Sequence, residues 1–120
     1  MIEKVRTHEH PSLPGVTIIP IGHTDLKRGH NQSVLVTMDP GAMIPLHYHS
    51  VMAIMDPTAG SAIVLSEDDD NGREVRPGHR VTFREDSLHG FIAGKEGFSF
   101  ISTNGGIVDE DPTNWDISFN

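Results

Sequence analysis

Apolar residues in this chain fall in short alternating runs, and helical periodicity is weak throughout. Val16 to Ile21, Ser33 to Met38, Ile44 to His49, Val51 to Met55, Ser61 to Ser66, Arg80 to Phe83, Leu88 to Ala93 and Phe98 to Thr103 read as strands. Each is rich in β-branched, aromatic or alternating apolar residues, which suit a pleated, half-buried surface. The stretches between them carry turn chemistry: Asp39-Pro40-Gly41, Asp56-Pro57, Asp68 to Gly72, Pro77-Gly78, Gly94 to Gly97 and Asn104 to Gly106. Short strands separated by regular turn signals predict an all-β sandwich or barrel. Alternation assigns Met38, Met43, Met52, Met55, Phe83, Phe91, Phe98 and Phe100 to its apolar interior.

The acidic run Ser66 to Gly72 lacks the spaced oxygen ligands and closing glutamate of an EF-hand, so it reads as a solvated hairpin tip. The tail from Val108 to Asn120 is acidic and carries the single tryptophan, Trp115. Its polarity predicts packing over the barrel or at a subunit contact rather than in the core. The formal charge of -8 argues against a nucleic-acid partner, whose phosphates need a basic surface, and against an anionic membrane surface. No apolar run approaches the ~20 residues of a membrane-spanning helix. The first twelve residues carry no apolar segment of the kind found in a secretory signal, so a cytoplasmic location is the expectation. The chain has no cysteine, which removes disulfides, thiolate metal sites and cysteine nucleophiles.

Eight histidines in 120 residues change the picture towards metal or acid–base chemistry. His47-Tyr48-His49 places two imidazoles two residues apart. On a strand such residues share a face and can grip one ion. His89 follows a further turn signal. Gly41 stands six residues before His47, Ala53 four after His49, and Gly60 seven after that; Arg76-Pro77-Gly78-His79 precedes Val81-Thr82-Phe83 and His89. From Asp39 to Ala93 this arrangement resembles the two motifs of the cupin superfamily. Ala53 replaces the usual glutamate, and His79, Arg84 and Ala93 depart from common residues of the second motif. The resemblance implies a double-stranded β-helix, a jelly-roll barrel, with residues 1–120 as one cupin domain. The barrel core would span about 14–104, between an N-terminal arm and the acidic tail. It also implies His47, His49 and His89 as metal ligands, and a homodimer. An unbroken strand would turn Ala53 inward beside the two histidines, leaving the carboxylate corner vacant.

Three neutral imidazoles suit a divalent transition metal, with Fe2+ the leading expectation and Zn2+, Ni2+, Cu2+ or Co2+ as alternatives. Asp56 has the wrong parity to replace the missing carboxylate. The remaining histidines, His8, His10, His23, His30 and His79, read as surface or turn residues. Arg80 and Arg84 could bind a substrate carboxylate but read as exposed strand positions. Met38, Ala53, Met55, Phe83, Phe91 and Phe100 are the candidate substrate-pocket residues; no catalytic acid or base stands out. The function expected is a metal-dependent oxygenase or dioxygenase acting on a small chelating substrate at a three-histidine site. The alternatives are a redox-neutral isomerase or lyase acting on a sugar or keto acid, and a non-enzymatic ligand-binding or sensor protein.

Overall fold

The computed structural model of the chain describes residues 2, 4–26, 29–67, 69–103 and 111–120; within 23–32 and 69–71 only the backbone is described. The alternating runs form strands β1 (Val16–Leu26), β2 (Gly29–Met38), β3 (Met43–Tyr48), β4 (Ala53–Ser66), β5 (Asp69–Val75), β6 (Val81–Phe83), β7 (His89–Thr103) and β8 (Ser118–Phe119). A 3-10 turn, Pro112–Asn114, precedes β8. All pairings are antiparallel and join one curled sheet. No helix among the described residues is long and apolar enough to cross a membrane.

β7 is the hub. One edge pairs with β4; the other pairs first with β3, from His89 to Ile92, and then with β2, from Phe98 to Thr103. The partner changes across Gly94 to Gly97, which the sequence reading treats as a turn between strands. The chain instead runs through as one strand. Gly97 takes φ of +80° and Gly60, facing it on β4, takes +73°. A Cβ on Gly60 would lie 2.1 Å from the Gly97 carbonyl oxygen, so no other residue lets the two strands approach there. Across this region the inward set on β7 changes from odd positions (His89, Phe91, Ala93) to even ones (Phe98, Phe100). On β4 it changes likewise, from Ala53 and Met55 to Ala62 and Val64.

Asp56-Pro57 is likewise not a turn. It lies inside β4, where the register slips between Pro57 and Ala59 because proline cannot donate to the ladder. Residues 69–72, expected at a hairpin tip, belong to β5, and the hairpin with β4 closes at Ser66↔Asp69. His23 and His30, expected in turns, lie on the backbone of β1 and β2. Met43 and Met52 are exposed rather than interior; Met43 neighbours the inward Ile44, so alternation turns it out. The expected turn at Asn104 to Gly106 lies outside the described residues.

The two chain ends join the core, against the expectation that the tail is too polar for it. Leu13 and Trp115 are both buried, and Ile117 and Phe119 pack against the same cluster. The tail succeeds despite its polarity because its apolar residues gather on one side after the 3-10 turn, which Asp111 caps by accepting from the Thr113 N–H. The N-terminal arm docks through mutual backbone bonds between His8 and Ile18, and the His10 ring lies 5.2 Å from that of Trp115.

Candidate metal centre

β3 delivers the first histidine through a bulge. Ile44 pairs with Phe91 and His47 with His89, so three steps on β3 match two on β7. Pro45 sits in the extra length and has no N–H to lose. Gly90 lies opposite; a Cβ there would stand 2.7 Å from the Ile44 carbonyl oxygen. The bulge turns both Ile44 and His47 inward although they lie three residues apart. His49 follows the end of β3 on a half-buried loop, and His89 opens β7. The strand does not continue from His49 to Ala53. Ala53 is nevertheless buried, because it starts a new strand paired with Phe83 of β6.

The three imidazoles converge. Ring centroids are 4.3 Å apart for His47 and His89, 5.0 Å for His47 and His49, and 5.4 Å for His49 and His89. One ligand atom from each lies within 4.8 Å of the other two. Each Nδ1 meets a main-chain carbonyl: Pro45 O for His47 at 2.8 Å, Ser87 O for His89 at 2.9 Å, and Asp116 O for His49. A carbonyl only accepts, so each Nδ1 carries its proton, which leaves Nε2 as the ligand atom of each ring. Burial, followed by the neighbouring His89, pushes His47 down to about 3; burial, with His49 adding to it, pushes His89 down to about 4. Both rings are therefore neutral at pH 7, as metal binding requires. The Phe83 ring stacks on His89 at 3.9 Å and 7° and fixes its plane.

The residues present thus fit a metal. They give three preset Nε2 donors without a carboxylate, a set that suits iron, nickel, copper, zinc or cobalt and leaves one side open. Asp56 is not a fourth ligand. It forms an ion pair with Arg80 through two hydrogen bonds, of 2.7 and 3.3 Å, away from the histidines. That pairing also occupies one of the two arginines considered for substrate. His79 stays exposed in the Pro77-Gly78 turn, where its Nδ1 accepts from the Arg76 N–H.

The histidines line one wall of a cavity of about 80 Å³, room for roughly half a dozen waters. Ala53, Met55, Phe83, Phe91 and Phe100 line it too, as the alternation suggests. Met38 does not. On β2 and β7, the pairs Val34↔Ser102 and Val36↔Phe100 face the cavity, and Met38↔Phe98 lies one row beyond its end, in solid core.

Sequence reasoning misses the contribution of the chain's tail. Trp115, Asp116 and Ile117 line the cavity. β8 pairs with β3 at His47↔Phe119, and the Asp116 carbonyl holds His49. The Asp116 carboxylate also accepts from the Ser50 N–H at 3.1 Å and from its hydroxyl at 2.6 Å, which ties the tail to the residue after His49. A main-chain acceptor has no residue-type signature, and Asp116 stands 67 positions from its histidine.

No protein-family model matches the sequence, and no curated protein matches it. Solved structures do. KdgF from a Halomonas species superposes with a TM-score of 0.68 at 22% identity, over 84% of this chain and 85% of that one. The polyketide cyclase RemF from Streptomyces resistomycificus gives 0.70 at 18% identity, over 86% and 78%. An RmlC-like cupin from Shewanella frigidimarina gives 0.69 at 16% identity, over 83% and 82%. At these identities the likeness concerns the fold alone: the chain folds as a jelly-roll β-barrel of the kind these cupin structures have.

Proposed function

We propose that this chain is a metal-dependent oxygenase in which His47, His49 and His89 hold ferrous iron and a small chelating substrate binds at the open side. The observation that carries this reading is the set of three carbonyl-tethered imidazoles facing an apolar cavity. Bound there, the metal would hold substrate and dioxygen side by side and let electrons pass from the substrate to the oxygen. The chain's residues orient the donors, exclude bulk water and fit the body of the substrate. Metal analysis of the purified protein and of His49→Ala tests the ligand set: iron in the first and a large loss in the second support it. Oxygen consumption by the iron-loaded protein, across a panel of thiols, diketones and catechols, tests the reaction. No uptake with any of them would overturn the oxygenase reading.

A redox-neutral reading draws support from the polyketide cyclase with this fold. It requires an acid–base side chain beside the substrate. Among the described lining residues, the one carboxylate is that of Asp116, whose oxygens already accept from Ser50. Turnover with zinc under anaerobic conditions would favour this second reading.

A further inference from the structure

The cavity wall restricts what the substrate's body can be. Apart from the three histidines, the described lining residues with polar side chains are Ser102 and Asp116; Trp115 adds a largely apolar ring. Among the described residues, no lysine, arginine, asparagine, glutamine, threonine or tyrosine lines it. The Asp116 carboxylate is engaged by Ser50. The Ser102 hydroxyl makes no hydrogen bond among the described residues. It projects inward from β7 between Met55 of β4 and Val34 of β2, beyond Phe100.

Building on the metal-site reading, we infer that the substrate is a small molecule with one chelating end and an apolar, uncharged body carrying at most one hydrogen-bonding group, which Ser102 meets. Each further hydroxyl would lose its water against Phe83, Phe91, Phe100 or Met55 without gaining a partner. A second carboxylate would find no opposite charge among the described lining side chains, and an ammonium group would meet only the Asp116 carboxylate, whose oxygens already accept from Ser50; only the metal can balance an anion, and the chelating end already occupies it. The volume agrees, since about 80 Å³ suits a small body such as a single ring or a short chain. This separates the site from one that takes sugars or amino-acid thiols, which need several polar partners.

The test loads the protein with Co2+, whose visible spectrum reports ligand exchange at the metal, and follows the fluorescence of Trp115 at the cavity wall. Three probes are titrated: allomaltol, kojic acid (the same chelating ring with a hydroxymethyl in place of the methyl) and gluconate. Affinities are divided by each probe's affinity for free Co2+. Both pyranones should bind at least tenfold better than gluconate on this scale. Ser102→Val should lower the preference for kojic acid over allomaltol at least threefold. Gluconate binding as well as the pyranones overturns the substrate class, and an unchanged kojic acid preference in Ser102→Val overturns the role of Ser102. Failure of Co2+ to bind at all, measured by elemental analysis before any probe is added, overturns the metal reading instead.

Discussion

Replacing Asp116 by alanine tests how far the tail governs the metal centre. The substitution leaves the carbonyl that accepts from His49 but removes the carboxylate that holds Ser50 through its N–H and hydroxyl. These contacts are exposed, so their net contribution to folding is about 1 kcal/mol, below the range for buried bonds to a charged group. The consequence for the metal should be larger. His49 lies outside β3 and is only half-buried, so its ring relies on the tail for its orientation, whereas His47 and His89 are buried and accept guidance from carbonyls two residues away. Loss of such an outer support costs about 10–100-fold in metal affinity. Competition with a chromophoric chelator for Zn2+ measures the affinity, and urea denaturation of the metal-free protein measures the stability. A stability loss near 1 kcal/mol with metal affinity unchanged within twofold would refute the reasoning, because the tail would then hold the fold without holding the histidine.

Further expectations follow from the same geometry. Gly90→Ala places a methyl 2.7 Å from the Ile44 carbonyl and must push β3 from β7; a loss of about 1–3 kcal/mol in urea denaturation and weaker Zn2+ binding are expected. Ala53→Glu sets a carboxylate in the cavity wall, so the metal-free protein should lose several kcal/mol and recover most of it on Zn2+ addition, read as a shift in melting temperature. With His47 near 3 and His89 near 4 in the fold against about 6.5 unfolded, the unfolded chain binds more protons between these values. Metal-free stability is therefore full above about pH 6.5 and falls as the pH drops towards 4, by at most about 1.4 kcal/mol per unit for each ring. The slope should be shallower in His47→Gln, and Zn2+ should move the loss to lower pH.

The sequence makes most of the strands legible because inward and outward positions alternate, and it makes His47, His49 and His89 legible because their spacing is tied to glycines. What it conceals are places where one residue type admits two outcomes. Glycine ends strands in most contexts, yet Gly60 and Gly97 carry β4 and β7 through a shared bulge. Parity counting reaches Ala53 correctly but by a wrong route, since the strand stops at Tyr48 and a new one begins. It fails at Met38 because the cavity ends one row short of that pair. The tail is concealed most completely. Its acidic composition describes its solvent side, while its work at the site rests on a peptide carbonyl and a few apolar residues.

All three orienting acceptors are peptide carbonyls, and two of them lie two residues from the histidines they serve. No exchange of side chain can delete such an acceptor or give it charge; it can only displace it. The tautomers of the donor set and the absence of charge on its acceptors are thus insulated from drift in most of the surrounding wall. Phe91, Phe100, Met55 and Ser102 can be replaced to admit another substrate while the imidazoles keep their tautomers, which makes this barrel a favourable starting point for redesigning selectivity without rebuilding the metal centre.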